Sequence, residues 1–347
     1  MQIYDFYSDT KTKPSRAMRE AVLNCEVGDE QKNEDPTANE LCRRVAELLG
    51  KESAVFLPSG TMCNEIAVNV HTQPGDEVIC EETCHIINFQ SGGIGALSGV
   101  MPRAIPGKFG IFTADQVRER LRSSERFYPR STLLNVEHTT NMGGGAIWPL
   151  DQLDEVAKVA KAAGLATHLD GARLLNACVK TGISAARYAQ EYDSVWIDFT
   201  KGLGAPVGAV LAGTEDFIAK AWRLKQRFGG AMRQSGILAS MCLYALDHNV
   251  DRLADDNDLA ERIGKEIASL PQVSKVFPVE TNIVIFEMAG DAPLAKDMLK
   301  LLAQDGILAG EFGERRLRVV THHDVDQNAA NALMAALRKH LGAPAGA

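Results

Sequence analysis

Two short apolar runs in the middle of the chain end in the same way, and this feature constrains the fold most strongly. The run at 165–169 leads into Asp170-Gly171-Ala172-Arg173, and the run at 195–199 leads into Thr200-Lys201-Gly202. A buried strand that ends in a polar residue and a glycine-containing turn is typical of α/β proteins. Functional groups in such proteins gather at the carboxyl edge of a mostly parallel sheet. We therefore expect Asp170, Arg173 and Lys201 to meet at one edge.

The charged groups at these strand ends suit one cofactor. Lys201 follows Asp170 by 31 residues, which is about one strand–helix–strand crossover, so both side chains would emerge on the same edge. Pyridoxal phosphate requires a lysine for its aldehyde and an acidic partner for its ring nitrogen. Asp170 alone also suits a helix N-cap, and a single lysine is usually a solvated surface group. The uncharged neighbours of Lys201, however, indicate a buried nucleophile.

A further strand end offers an anion site. A predicted strand at 54–57 is followed by Pro58-Ser59-Gly60-Thr61 and then by a predicted helix at 62–70. The first backbone N–H groups of a helix have no partner within the helix, so such a turn can hold a phosphate. Many turns of this kind bind nothing, and the motif alone leaves both interpretations open.

Alternation of strands and helices predicts the fold class. Strand patterns recur between helical patterns as far as about residue 245, which favours an α/β fold with a mostly parallel central sheet and helices on both faces. Beyond that point the pattern favours a smaller α+β unit. We divide the chain into an irregular N-terminal arm (1–15), a large cofactor-binding domain (16–245) and a small C-terminal domain (246–347).

Composition and charge exclude several classes of partner. The 347 residues carry a net charge of −8, whereas a nucleic-acid-binding surface is usually basic. The sequence contains no apolar run long enough to span a bilayer, and its start lacks the apolar core of a secretory signal. The seven cysteines are scattered, which favours reduced thiols and no metal site. We expect a cytoplasmic enzyme that acts on a small molecule.

Several motifs, in order over nearly the whole chain, resemble the L-threonine aldolases, which are pyridoxal phosphate enzymes with the aminotransferase-like fold. The matching segments are Ser8-Asp9-Thr10, Pro58-Ser59-Gly60-Thr61-Met62, His168-Leu169-Asp170-Gly171-Ala172-Arg173, Lys201-Gly202-Leu203-Gly204-Ala205-Pro206-Val207-Gly208, Met232-Arg233-Gln234-Ser235-Gly236 and Arg318-Val319-Val320-Thr321-His322. Several motifs in register are far more specific than any one of them.

The resemblance implies a role for individual residues. Lys201 would hold the cofactor, Asp170 would pair with the ring nitrogen, and His85 would stack on the ring. The phosphate would be bound by Gly60, Thr61 and Thr200, with help from Arg233 of a neighbouring subunit. The substrate carboxylate would be bound by Ser8, Arg173 and Arg318. The family is a homotetramer with active sites between subunits. It cleaves an L-β-hydroxy-α-amino acid, such as threonine, allo-threonine or phenylserine, to glycine and an aldehyde.

At four positions the chain departs from the family. A histidine, a glutamate, a tyrosine and a lysine of the family are replaced by Thr140, Gln90, Lys32 and Gln226. A threonine hydroxyl is not a general base near neutral pH. Residues two apart in an extended segment point to the same side, so we expect His138 to share a face with Thr140 and to take over the catalytic role. A structural hydrogen bond is the alternative for His138.

These departures keep two other functions open. Loss of the family histidine leaves room for β-elimination on a β-substituted amino acid, and a catalytically silent pyridoxal phosphate-binding protein is the third alternative. Gln90 removes a charge from the expected pocket. We therefore expect a substrate preference that differs from that of a typical member.

Overall fold

A computed structural model describes residues 2–342 of the chain. The strands, numbered in chain order, are β1 Tyr4–Asp5, β2 Ser53–Leu57, β3 Glu77–Glu81, β4 Met101–Ile105, β5 Ser131–Glu137, β6 Ala166–Gly171, β7 Ser194–Asp198, β8 Ala209–Gly213, β9 Val273–Val276, β10 Ile283–Met288, β11 Ile307–Leu308, β12 Gly310–Glu311 and β13 Arg316–Val320. The helices are α1 Arg16–Glu20, α2 Pro36–Leu49, α3 Gly60–His71, α4 His85–Asn88, α5 Gly93–Ser98, α6 Ala114–Arg120, α7 Leu150–Ala162, α8 Leu174–Thr181, α9 Ala185–Ala189, α10 Glu215–Arg227, α11 Gly236–His248, α12 Leu253–Ile267, α13 Ala295–Gln304 and α14 Gln327–Leu341.

Seven strands form the central sheet in the order β2-β8-β7-β6-β5-β3-β4. Six of them run in one direction, and β8 is antiparallel to both of its neighbours. Helices cover both faces, as alternation along β7 shows. Val195 and Ile197 pack into one core with α2 and α7, whereas Trp196 packs into another with α3 and α10. The predicted α/β fold with a mostly parallel sheet is confirmed.

The parallel pairing of β5, β6 and β7 positions the functional groups. Asp170 near the end of β6 lies beside Glu137 of β5 and Trp196 of β7. All three strands therefore deliver their carboxyl ends to the same edge, which is where parallel sheets place ligands.

A four-stranded antiparallel sheet, in the order β12-β13-β10-β9, lies in the C-terminal part of the chain. It packs with α12, α13 and α14 around a separate core. The predicted boundary at residue 245 falls inside α11, and residues of the second core begin at Leu259 apart from Phe6 of the arm. The three-part division stays a prediction, and its residues 1 and 343–347 lie outside the described part of the chain.

The N-terminal arm is more ordered than the sequence predicts. Strand β1 pairs in parallel with β11, and Phe6 is fully buried in the C-terminal core. The expectation of an irregular arm was wrong because two strand residues give no periodicity, and their pairing partner lies 303 residues away, at Ile307 for Tyr4.

The segment 85–98 forms two short helices and not one continuous helix. Helix α4 ends at Asn88 and α5 begins at Gly93, and between them Gly92 has a φ of +73°. Glycine adopts this left-handed conformation without the clash of a Cβ.

Among residues 2–342, no helix combines the length and apolar character required to cross a membrane.

Candidate active site

A cavity of about 370 Å³ opens at the carboxyl edge of the central sheet. The arm, the start of α3, the ends of β5, β6 and β7, and strand β13 all contribute to its wall. The structure brings nine of the eleven predicted site residues together in this cavity. They are Ser8, Gly60, Thr61, His85, Asp170, Arg173, Thr200, Lys201 and Arg318. The two that do not line the cavity are His138 and Arg233.

Asp170 is held at the cavity floor by a polar network. One carboxylate oxygen accepts a hydrogen bond from the Asn64 amide at 2.8 Å, and the other accepts from the backbone N–H of Ala172 at 3.1 Å. Asn64 itself accepts from the Trp196 indole at 2.8 Å. These contacts fix the carboxylate and leave it lone pairs for a ligand. Sequence reasoning missed Asn64, which occupies the helix that begins at Gly60.

Lys201 lies beside a carboxylate that the sequence analysis did not single out. Its ammonium forms an ion pair with Asp198, whose other oxygen accepts from the hydroxyl and backbone N–H of Thr200 at 2.7 and 2.8 Å. Asp198 therefore orients both residues. The signal was present in the sequence as a carboxylate at the end of β7, two and three residues before Thr200 and Lys201.

Helix α3 presents an anion cradle to the same cavity. Ser59 caps the helix by accepting the backbone N–H of Met62 at 3.2 Å. Among the described residues, the amides of Gly60 and Thr61 have no partner. A Cβ on Gly60 would lie 2.1 Å from the Trp196 ring, so only glycine fits there. Free amides at the start of a twelve-residue helix suit a phosphate.

His85 is anchored through its backbone and its ring. Its N–H donates to Glu137 at 2.8 Å, and its Nδ1 lies 3.0 Å from the Gln90 side-chain nitrogen. Burial lowers the pKa of His85, so the ring is neutral near neutral pH. A neutral imidazole held in this way presents a flat face for stacking. Glu137, which the sequence analysis left without a role, is therefore part of the site.

The two arginines of the expected carboxylate clamp differ. Arg173 is buried and donates to Asp9 through Nε and Nη2, both at 2.7 Å. Arg318 donates to the Asn141 side chain at 2.9 Å and to the carbonyl of Tyr7 at 3.1 Å, and its Nε has no partner among residues 2–342. Burial and the charge of Arg173 lower the pKa of Arg318 to about 10, so it stays charged at neutral pH.

His138 does not reach the cavity. It is fully buried and packs against Tyr188, with 4.6 Å between the centroids of the two rings. It also accepts a weak hydrogen bond from the backbone N–H of Trp148. Thr140 also turns away and donates to the carbonyl of Phe109 at 2.8 Å. Neither His138 nor Thr140 lines the cavity, and both side chains have their partners in the protein interior. The structure fits the structural alternative for His138.

Arg233 and two of the departing residues lie on the surface of the protomer. The Arg233 side chain is 62% exposed and pairs with Asp29 at 2.8 Å. Lys32 and Gln226 are also exposed, and neither lines the cavity. Gln90, in contrast, is buried and lines it.

Comparisons with known proteins agree with this geometry. The family model "Beta-eliminating lyase" matches residues 5–291. Low-specificity L-threonine aldolase 1 of Arabidopsis thaliana is 37% identical over 94% of this chain and 92% of its own length. Low specificity L-threonine aldolase of Escherichia coli K12 is 36% identical over 93% of this chain and 95% of its own length.

Solved structures show the same fold. Threonine aldolase of Leishmania major superposes with a TM-score of 0.82 at 21% identity, covering 97% of this chain and 99% of that one. Serine palmitoyltransferase of Sphingomonas wittichii superposes with a TM-score of 0.75 at 16% identity, covering 97% and 87%. The motifs, the sheet and these matches agree, and the chain belongs to the beta-eliminating lyase family, among the relatives of the low-specificity L-threonine aldolases.

Proposed function

We propose that this protein binds pyridoxal phosphate in the cavity and cleaves L-β-hydroxy-α-amino acids to glycine and an aldehyde. The observation that carries the proposal is the placement of Lys201, Asp170 and the free amides of α3 on the wall of one cavity. Relatives that are 36–39% identical are named low-specificity L-threonine aldolases, and this supports the same reaction.

The donor set fits pyridoxal phosphate. The amides of Gly60 and Thr61 suit the phosphate, and Asp170 suits a protonated ring nitrogen. The Thr200 hydroxyl donates to Asp198 in this structure and would turn to the phosphate when the cofactor binds. Lys201 would attach to the aldehyde, and its proton has an acceptor in Asp198. When bound, the cofactor supplies an electron sink for bonds at the α-carbon of an amino acid.

The carboxylate of the substrate has one main cationic partner. The two fork atoms of Arg173 are occupied by Asp9, so only its Nη1 lacks a partner among the described residues. Arg318 lines the cavity, and its buried Nε has no hydrogen-bond partner within residues 2–342. A buried donor without a partner is costly, and a carboxylate would satisfy it. We assign Arg318 the larger share of carboxylate binding, assisted by Ser8 and Arg173.

Incubation with L-threonine tests the reaction. We expect glycine and acetaldehyde in equal amounts, with an absorbance band of bound cofactor that disappears in Lys201→Ala. A keto acid and ammonia would instead indicate β-elimination, which the matching family model and the absence of an imidazole at position 140 favour as the second candidate. Bound cofactor with no product from any β-hydroxy amino acid would contradict both.

The substrate preference is tested with a panel. Rates for threonine, allo-threonine, phenylserine and 3-hydroxyaspartate would show whether Gln90 sets this protein apart. A profile dominated by threonine, as expected if Gln90 has no influence, would contradict our proposal of an altered preference.

A homotetramer is also part of the proposal. Arg233 cannot assist a phosphate in its own protomer's cavity because it lies on the surface with Asp29. If Arg233 acts in a neighbouring subunit, mixed oligomers of Lys201→Ala and Arg233→Ala would contain some intact sites. We expect activity to return on mixing, and sedimentation to give the mass of four chains. The cytoplasmic compartment stays a prediction.

A further inference from the structure

The chain segment after β5 divides its side chains between two environments. Glu137, Thr139 and Asn141 line the cavity, whereas His138 and Thr140 are turned into the protein. The imidazole of His138 therefore does not face the cavity. The residues of this segment that line the cavity carry a carboxyl, a hydroxyl and an amide.

Thr139 has a hydroxyl without a partner. The residue is 2% exposed, and its Oγ makes no hydrogen bond to any of the described residues. Buried polar groups in folded proteins are nearly always paired, because an unpaired buried hydroxyl loses its hydrogen bonds to water without replacement. Because Thr139 belongs to the cavity wall, a hydroxyl or carbonyl group of a ligand is the natural partner.

Glu137 is fixed in place and retains capacity for a proton. One carboxyl oxygen accepts the backbone N–H of His85 at 2.8 Å, and the other accepts that of Asn141 at 2.6 Å. A carboxylate offers about four lone-pair positions, so two remain. The two hydrogen bonds from different parts of the backbone therefore hold the carboxyl group in one orientation.

The surroundings of Glu137 favour proton transfer near neutral pH. Burial and the charge of Asp170, its register neighbour on β6, raise the pKa of Glu137 to about 7. The hydrogen bonds from the backbone of Asn141 and His85 and the charge of Arg173 act in the opposite direction. A general base works best when its pKa lies near the working pH.

We propose that Thr139 and Glu137 form the subsite for the β-hydroxyl of the substrate, in which the Thr139 hydroxyl binds the oxygen and the Glu137 carboxylate accepts the proton. The inference rests on the proposed aldolase function. As the O–H bond breaks, an O–H bond forms on Glu137, and the oxygen lone pair becomes the carbonyl bond of the aldehyde. The Cα–Cβ bond breaks, and its electron pair stays with the glycine fragment.

Matched variants test the subsite. Thr139→Val removes the hydroxyl, and Thr140→Val is its control because that hydroxyl faces away from the cavity. Glu137→Gln removes the base, and Glu65→Gln is its control because Glu65 is a second buried glutamate with a raised pKa that does not line the cavity. Cleavage of threonine and allo-threonine is measured for each protein, together with the absorbance of bound cofactor.

Glycine provides the readout that a merely structural role would move. It has a carboxylate and an α-proton but no β-hydroxyl, so its affinity and the exchange of its α-proton in D₂O, followed by NMR, report the rest of the site. We expect Glu137→Gln to lower kcat for threonine about 100-fold or more, the usual contribution of a general base. We expect Thr139→Val to lower kcat/KM about 10-fold, as for one lost hydrogen bond, and to reduce the preference between threonine and allo-threonine.

Four outcomes are distinguishable. Loss of cleavage with retained glycine binding and exchange, and control variants within about threefold of wild type, supports the subsite. Cleavage unchanged in Glu137→Gln and Thr139→Val overturns it. Equal loss of the glycine reactions also overturns it, since Glu137 would then only anchor His85 and Asn141. Failure of the wild-type protein to cleave any β-hydroxy amino acid would refute the proposed function instead.

Discussion

Asp9 binds the guanidinium of Arg173 through two parallel hydrogen bonds, both 2.7 Å long; Asp9 is fully buried, and the Arg173 side chain is 5% exposed at the cavity wall. The same carboxylate accepts from the side-chain amide of Asn282 at 3.0 Å. One residue of the arm therefore joins the central sheet to the C-terminal part of the chain. Because Asp9 occupies Nε and Nη2 of Arg173, only Nη1 is available to bind a substrate.

Replacing Asp9 by Asn should destabilise the protein strongly. Removal of one partner leaves the charge of Arg173 buried and uncompensated, which costs about 3 kcal/mol or more. Urea unfolding at pH 7 measures the loss. The double variant Asp9→Leu with Arg173→Met, which leaves no unpaired charge, should recover part of it, and a double variant as unstable as the single one would contradict this account.

Arg318→Gln should weaken the binding of every amino acid. The buried Nε of Arg318 has no partner in the described part of the chain, whereas two of the nitrogens of Arg173 are occupied by Asp9. We expect at least a tenfold rise in the Kd for glycine, equivalent to about 1.4 kcal/mol. Because the pKa of Arg318 is about 10, glycine affinity of the wild type should also fall as the pH rises through that value. Titrations of cofactor absorbance with glycine at pH 8 to 10.5 would measure both effects, and an unchanged Kd in the variant would exclude the assignment.

His138→Phe should preserve cleavage and improve stability in acid. Burial lowers the pKa of His138 to about 3, against about 6.5 in the unfolded chain. The unfolded state therefore binds a proton first, and stability is lost as the pH falls from 6.5 towards 3. Phenylalanine cannot be protonated, so at pH 5 the variant should gain about 2 kcal/mol relative to its difference from wild type at pH 8.

Urea unfolding at the two pH values gives that comparison, and threonine cleavage at pH 8 gives the second test. A loss of cleavage greater than about tenfold, with the cofactor still bound, would return His138 to a catalytic role.

Glu65→Gln should raise the thermal stability above neutral pH. Neither carboxyl oxygen of Glu65 has a hydrogen-bond partner among residues 2–342, and burial raises its pKa to about 7. The folded state therefore retains a proton that the unfolded state loses near pH 4.5, and stability falls as the pH rises between those values. The Tm gain of the variant should be about 2 °C or more at pH 8 and close to zero at pH 4.5. Calorimetry at both pH values measures the gain, and a gain of the same size at pH 8 and pH 4.5 would contradict this expectation.

Gly171→Ala should disturb the position of Asp170. A Cβ at this position would lie 2.2 Å from the backbone carbonyl of Trp196 in the neighbouring strand, and backbone cannot rotate away. Overpacking of this kind costs about 1–3 kcal/mol, and the strand end that carries Asp170 must shift. We expect weaker retention of the cofactor on dialysis. Gly290→Ala serves as the control for a glycine-to-alanine change in open space, because a Cβ there would meet no atom within 4 Å.

The sequence by itself determined the sheet and most of the cavity wall. Buried strands that end in Asp170 and in Thr200-Lys201 require parallel pairing through crossovers, and parallel strands bring their ends to one edge. The start of α3 could be predicted for the same reason, because the turn at Gly60 follows a strand. These features depend on local patterns and on rules that hold for all α/β sheets.

Only the tertiary structure decided the remaining features. Alternation along the segment could not say which of its residues reach the cavity; the pairing of β5 with β6 places Glu137 beside Asp170, and Glu137 and Thr139 line the cavity whereas His138 and Thr140 do not. The ion pair of Asp9 with Arg173 joins residues 164 positions apart. Contacts of that range leave no local pattern, because they depend on which strands lie side by side and on which residue begins the alternation.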